Sequence, residues 1–312
     1  MKTRLILAIV GPTASGKTPL SLLLAELLKG EIVSADSRQI YKHLDIGTAK
    51  PSLDDRKRVR HHFIDVLDPK DDYNAGQYGE DVKGVFHEVF GRGKIPLLVG
   101  GSGLYVKAAI DGIFEGPGKD PEIRGRLEEQ LRTHGLDALL SGLKKVDPAA
   151  LAMMKEITPR RIIRALEVFY ITGKPMSRLH AEQTQVTEFR ALQVCLAWDR
   201  IDLYSRINNR VDGMMTAGLV EEVRNLKKLG YSRHLNALNT VGYKEVFDHL
   251  EGITDGETMV GLIKRNTRRF AKRQLTWFGA DKRIREFPMS AGRDLVAVSK
   301  KIADLYRRSS KE

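Results

Sequence analysis

Eight residues near the start of the chain, Gly11-Pro12-Thr13-Ala14-Ser15-Gly16-Lys17-Thr18, complete the pattern G-x-x-x-x-G-K-[ST]. They lie between an apolar run, Leu5 to Val10, and a leucine-rich stretch, Leu20 to Leu28, that reads as a helix. A strand that turns through glycines into a helix aims backbone N–H groups and the positive helix end at one point, which suits a polyanion. Lys17 adds a point charge there, and the Thr18 hydroxyl can reach a Mg²⁺ ion. The competing reading is a glycine-rich turn that binds nothing, and the legible strand and helix on either side weigh against it. Pro19 falls in the first helical turn, where its missing N–H has no intrahelical partner to lose.

The 312 residues exceed the usual single-core size, so one large domain with an insertion, or two domains, is expected. The first part alternates strands (Leu5 to Val10, Glu31 to Ala35, Ile95 to Val99) with helices (after Thr18, and Val82 to Phe90), the pattern of a parallel sheet covered on both faces. Ligands of such sheets sit at the carboxyl ends of strands, and three of those ends carry polar groups: the glycine loop, Asp36-Ser37-Arg38-Gln39, and Gly100-Gly101-Ser102-Gly103. From about Gly116 the texture changes to a linker followed by a charged helical stretch, Glu122 to Tyr170. The expected division is a catalytic core of residues 1–115 and 191–312 with a helical insertion of residues 116–190. A strand over Ala191 to Ala197 is expected to rejoin the sheet, helices to dominate from Asp202, and Arg307 to Glu312 to fray.

Composition narrows the classes. Hydrophobic residues at 42% and charged residues at 29%, with no run of about 18 apolar residues, read as a soluble protein without a membrane span. The N-terminal run leads into the glycine loop instead of a cleavage site, so a cytoplasmic location is expected. One cysteine, Cys195, excludes an internal disulfide framework, and its apolar neighbours suggest a buried strand position. The net charge of +12 favours a polyanionic partner without establishing one. More specific is the run Lys264 to Arg273, in which six of ten residues are basic and none is acidic; two rows spaced by four, Lys264/Arg268/Lys272 and Arg265/Arg269/Arg273, would adjoin on a helix. Arg160/Arg161/Arg164 and Arg56-Lys57-Arg58 with Arg60-His61-His62 form further clusters, a distribution that suits a folded RNA better than a small metabolite. No self-complementary helical seam stands out, so a monomer is expected.

Asp36 follows a strand close to the glycine loop and could accept a nucleophile's proton; it could equally be a helix N-cap. The Gly100 to Tyr105 loop offers exposed amides and one hydroxyl, as a phosphate contact or as a plain tight turn. The strand Ile95 to Val99 ends in glycine where phosphate-loop ATPases carry a Mg²⁺-holding Asp, which disfavours a nucleotide hydrolase.

The ordered set Gly11–Thr18, Ser34-Ala-Asp-Ser-Arg-Gln-Ile-Tyr41, Asp45-Ile-Gly-Thr-Ala-Lys-Pro51, Gly100–Tyr105, Arg161–Val168, Val241–Glu245 and Ala271–Phe278 resembles the tRNA dimethylallyltransferases, also called tRNA isopentenyltransferases, over nearly the whole chain. Departures are Ser102 in place of the usual Thr, Asn239-Thr240 in place of Gln-Ala, and Ile157-Thr158 in place of Asn-Asp. The resemblance implies an α/β fold: a P-loop NTPase-like parallel sheet core flanked by helices, with an all-helical insertion domain. It implies transfer of a dimethylallyl group from dimethylallyl diphosphate to the exocyclic N6 amine of the adenosine 3′ to the tRNA anticodon, with Mg²⁺. Gly11, Pro12, Thr13, Ala14, Ser15, Gly16, Lys17 and Thr18 would bind the diphosphate, Thr18 holding Mg²⁺, while Asp36, Ser102 and Lys17 would be catalytic. The anticodon stem-loop would meet Asp36, Ser37, Arg38, Gln39, Ser102, Arg124, Arg160, Arg161, Ile162, Ile163, Arg164, Val241, Gly242, Tyr243, Lys244, Lys272, Arg273, Gln274, Leu275, Thr276, Trp277 and Phe278. A phosphate-loop kinase of a nucleoside or small metabolite is the alternative enzyme, but it leaves the basic rows unexplained. An RNA-binding protein with a vestigial phosphate loop would leave Lys17, Thr18 and Asp36 without a purpose.

Overall fold

The structure is a computed structural model that describes residues 4–113, 116–154, 156–182 and 188–311. In chain order the first unit begins β1 (Arg4–Val10), α1 (Lys17–Leu28), β2 (Gly30–Ser34), α2 (Leu53–Arg58), β3 (His61–His62), α3 (Ala75–Gly91), β4 (Ile95–Gly100) and α4 (Gly103–Ile110). Four helices follow, α5 (Pro121–Val146), α6 (Pro148–Met153), α7 (Pro159–Thr172) and α8 (Met176–Glu182). The first unit then resumes with β5 (Phe189–Trp198), α9 (Arg200–Thr216), α10 (Leu219–Lys228), α11 (Tyr243–Leu250), α12 (Gly256–Gly279), β6 (Arg285–Met289) and α13 (Leu295–Ser309). The compact units are Met1–Asp111 with Thr187–Glu312, and Gly112–Val186.

In the first unit the six strands form one sheet of order β3-β2-β4-β1-β5-β6, parallel throughout. β1 lies between β4 and β5, and Leu5 to Val10 are all buried, as a continuous apolar run covered on both faces requires. The chain leaves β1 toward β2 on one side and returns from β4 to β5 on the other, so the crevice at the carboxyl end of β1 is a topological switch point. Leu20, Leu24 and Leu28 of α1 and Val298, Ile302 and Tyr306 of α13 cover one face. A second core, from Val211, Val223, Tyr243, Phe247 and Ile263, joins α9 to α12 with Ile40, Tyr41 and Leu44.

Two features depart from the sequence expectation. Both sheet edges carry a strand that the apolar pattern does not announce, β3 and β6. The C-terminal stretch is ordered through Ser309: Tyr306 donates its hydroxyl to Leu5 O at 2.6 Å, and Arg307 donates to Leu27 O at 3.1 Å while pairing with Asp304. Burial of one helix face against α1 keeps Arg307 to Ser309 from fraying; Glu312 lies outside the described residues.

The second unit is helical among its described residues. α5 is two helices joined at Gly135, whose φ is 74°. Leu127, Leu139 and Leu143 pack on Ile162, Ile163 and Leu166 of α7. α7 begins at the Thr158 cap with Pro159 behind it and ends on Gly173 at φ 68°, both standard helix punctuation.

Candidate functional site

The glycine loop wraps the carboxyl end of β1. Gly11 has φ 132°, and a Cβ there would stand 2.8 Å from Cys195 Sγ on β5, so both backbone angle and space call for glycine. Lys17 folds back into the loop and donates its Nζ to Gly11 O at 3.0 Å and Pro12 O at 2.6 Å. Burial, aided by the charge of Arg210, pushes its ammonium down to about 8, while the Asp36 carboxylate opposes the shift. Ser15 Oγ is buried with no hydrogen-bond partner. An unpartnered buried hydroxyl and a desolvated ammonium in one glycine cradle are groups that an anion would satisfy. Trp198 Nε1 donates to Ser15 O at 2.8 Å, and Arg206, lying over the Trp198 ring, donates to Ala14 O at 2.9 Å.

Asp36 follows β2 at the same end of the sheet. Its Oδ1 accepts the N–H of Arg38 at 2.8 Å and of Gln39 at 3.3 Å, a cap-like arrangement over a turn that does not continue as a helix. Both bonds fall on Oδ1, which leaves Oδ2 for a ligand. Gln39 Nε2 donates to Thr48 O and Ala49 O, and the Asp45 to Gly47 amides of that loop donate to the Glu222 carboxylate at 2.7 to 3.1 Å. Ser102, the residue before α4, accepts the Ser37 N–H at 3.0 Å and donates to Ser37 Oγ at 3.2 Å. Its side-chain hydrogen bonds run to Ser37, beside Asp36.

Arg210 of α9 faces this constellation. Its charge acts on Lys17 and on Asp36, and burial holds its guanidinium below the ordinary arginine value. Sequence reasoning passed over it; the available signal was Arg206-Ile-Asn-Asn-Arg210, whose spacing of four puts two cations on one helical face. The carboxyl ends of β1, β2 and β4 thus bring together a phosphate-shaped cradle, two cations, an oriented carboxylate and a hydroxyl. Among the described residues no three His, Cys, Asp or Glu side chains are grouped to hold a metal ion. A Mg²⁺ ion would draw on the Thr18 hydroxyl, ligand oxygens and water, a donor set that suits this cation.

Comparisons with known proteins show the family of the chain. The family described as IPP transferase matches residues 39–282. The tRNA dimethylallyltransferase of Geobacter sulfurreducens is 47% identical over 290 residues, 92% of this chain and 93% of that protein. Its counterpart in Thermotoga neapolitana is 50% identical over 274 residues, 87% and 88% of the two chains. The chain belongs to the IPP transferase family. Among solved structures, the tRNA isopentenylpyrophosphate transferase of Bacillus halodurans aligns with TM-score 0.72 at 37% identity over 99% of both chains. A eukaryotic dimethylallyltransferase acting on tRNA aligns with TM-score 0.82 at 26% identity, covering 99% of this chain and 80% of that one.

In this IPP transferase the segments expected at tRNA divide by face. On α12, Ala271, Gln274 and Phe278 point inward, whereas Lys272, Arg273, Leu275 and Thr276 are exposed. Trp277 is 46% exposed, its indole lying against the backbone at Gly103. The two basic rows separate: Lys264 pairs with Asp212 at 2.6 Å and Arg268 donates to Asn208 Oδ1 at 2.7 Å, both on α9, while Arg265 and Arg269 are exposed. The acids missing from the run are therefore supplied in part by a neighbouring helix. Tyr243 is fully buried with its hydroxyl on Glu222 at 2.6 Å, Gly242 is buried, Val241 is half-buried, and Lys244 is exposed. Arg38 Nη1 donates to Asn236 O. The Arg56-Lys57-Arg58 cluster is paired with Asp65, Asp54 and Glu26.

In the helical unit Ile162 and Ile163 are core residues, and Arg160 and Arg161 are exposed, Arg161 donating to Glu156 O. Arg124 and Arg164 are committed to Glu167, a carboxylate 0% exposed that takes Arg124 Nη2 at 2.7 Å, Arg164 Nη1 at 2.8 Å and the Asp120 N–H at 3.2 Å. Removing that carboxylate strands two guanidinium groups. Glu167→Ala is expected to cost about 3 kcal/mol, since breaking one side of a buried pair leaves the other uncompensated. Amide exchange over Pro121–Thr172 should accelerate in the variant, and protection equal to the parent chain would refute a structural role for Glu167.

Proposed function

We propose that this IPP transferase transfers a dimethylallyl group from dimethylallyl diphosphate to the exocyclic N6 amine of the adenosine 3′ to the anticodon of tRNA in the cytoplasm. The observation that carries this reading is the Asp36 carboxylate, held by two backbone amides, within electrostatic reach of Lys17 and Arg210 at a phosphate cradle. In the transfer the C–O bond to diphosphate breaks as the N6–C bond forms. Negative charge grows on the departing diphosphate, where Lys17, Arg210 and the loop amides stabilise it. Bound Mg²⁺ would add neutralising charge at the diphosphate oxygens. The adenine amine is a weak nucleophile because its lone pair is delocalised into the ring, so losing a proton to Asp36 Oδ2 lets it attack. Ser102 supports this carboxylate indirectly through Ser37. A base flipped into the crevice would also exclude water from the allylic centre.

Incubation with labelled dimethylallyl diphosphate, Mg²⁺ and unmodified tRNA should place label on the tRNA. Tight tRNA binding without label, or ATP consumption with a small acceptor, would overturn the reading; the dimethylallyltransferase relatives do not favour the latter kinase alternative. The division of α12 gives a second expectation. Arg269→Ala and Arg273→Ala should each lower the slope of log affinity for tRNA against log salt by about one, as lost phosphate contacts do. Lys264→Ala, whose ammonium is paired with Asp212, should leave that slope unchanged.

A further inference from the structure

Gln274 lies in the segment of α12 expected to meet tRNA, yet it is 6% exposed and turned toward the sheet. Its Oε1 accepts the Thr13 N–H at 2.9 Å, and its Nε2 donates to Gly101 O at 2.9 Å. One side chain thus bridges the loop after β1 and the loop after β4. The approach is close: a Cβ on Gly101 would collide with the Gln274 amide. The second of these loops continues directly into Ser102, which holds Ser37 next to Asp36.

We propose that Gln274 is a positioning residue for the diphosphate leaving group, serving the donor cradle and not the tRNA surface. This rests on the transferase reading above. The primary amide fits because it alone among uncharged side chains of this reach offers an acceptor and a donor at one end, matching an N–H on one loop and a C=O on the other. The bond to Gly101 is buried and the bond to Thr13 partly so, so losing the amide leaves backbone groups that water replaces only at a cost. By fixing Thr13 the bridge sets the start of the curl whose later amides and Lys17 face the diphosphate. By fixing Gly101 it sets the spacing between that cradle and the Ser102–Ser37 contact. The exposed neighbours Lys272 and Arg273 are on the other side of the helix, so substrate recognition is split across the two faces of a single turn.

The test uses magnesium diphosphate as the probe, with Gln274→Met, which fills the space without hydrogen bonds, and Gln274→Asn, which stays polar but is one methylene short. Gln274→Met is expected to weaken diphosphate binding about tenfold, the scale of two lost hydrogen bonds of which one is buried, and Gln274→Asn to act in the same direction by less. In turnover assays KM for the prenyl donor should rise while KM for tRNA holds, and tRNA affinity at fixed salt should stay within about twofold. A general loss of structure would move both substrates together. If the Met variant does not fold, the Asn variant decides. Unchanged diphosphate affinity in the folded variants, or a loss of tRNA affinity as large as that for diphosphate, overturns the assignment. Failure of the unsubstituted chain to bind diphosphate would instead sink the donor reading itself.

Discussion

Asp36→Asn is expected to lower the rate of prenyl transfer by about 10²-fold or more at saturating substrates, the range associated with losing a positioned general base, while tRNA affinity stays within about twofold. The substitution is chemically narrow. Asparagine still presents an Oδ1 to the Arg38 and Gln39 amides, so the turn that follows β2 keeps its two hydrogen bonds. What changes is the second oxygen: an NH₂ group stands where a basic lone pair stood, and it cannot take the amine's proton. The charge opposite Lys17 and Arg210 is also lost, which leaves the two cations facing each other. Diphosphate binding should therefore hold or tighten as turnover falls. Single-turnover measurement with labelled donor and preformed tRNA complex checks this, and a transfer rate equal to that of the parent chain would remove Asp36 from the role of base.

How much of this could be read from the sequence follows from how local each feature is. β1, β2, β4 and β5 are each built round a short buried apolar stretch, so the composition of the segment alone marks it. β3 is two histidines, and β6 is Arg-Glu-Phe-Pro-Met, whose proline near the strand's end suits an edge, so neither carries a periodic signal. The glycine cradle is legible because its function resides in consecutive backbone units. The Gln274 bridge is not: its partners are 261 and 173 residues away, and only packing reveals that a polar side chain belongs to the inward face with Ala271 and Phe278. Charge misleads for a similar reason. Arg164 counts toward a basic cluster in the sequence, and Arg124 enters only through the family resemblance, but both pair with the buried Glu167. The spacing of four in α12 finds two basic rows correctly, while Asp212 and Asn208 on another helix decide which one is turned inward.

Lys17→Met should lower transfer by about 10³-fold, the upper range for removing a preorganised group that stabilises transition-state charge. Arg210 and the loop amides remain, which is why some activity survives. The more diagnostic consequence concerns pH. In the ligand-free chain the Lys17 ammonium titrates at about 8 instead of the ordinary 10.5, chiefly because burial removes it from water. The folded value is below the unfolded one, so between about 8 and 10.5 the unfolded chain binds more protons and this group makes the folded state more stable as pH rises. Diphosphate acts with the opposite sign, since an anion in the cradle favours the protonated lysine and raises its pKa. Below about 8 the ammonium is already in place and binding should not vary with pH through this group. Above that value each bound diphosphate must draw a proton from solution, and affinity should fall by up to about tenfold per pH unit until Lys17 titrates in the complex. Calorimetry in buffers of different ionisation enthalpy should record that proton uptake at pH 8 to 9 in the parent chain and lose the Lys17 contribution in Lys17→Met. A variant that binds diphosphate with the same affinity and the same pH dependence as the parent would place Lys17 outside the leaving-group site.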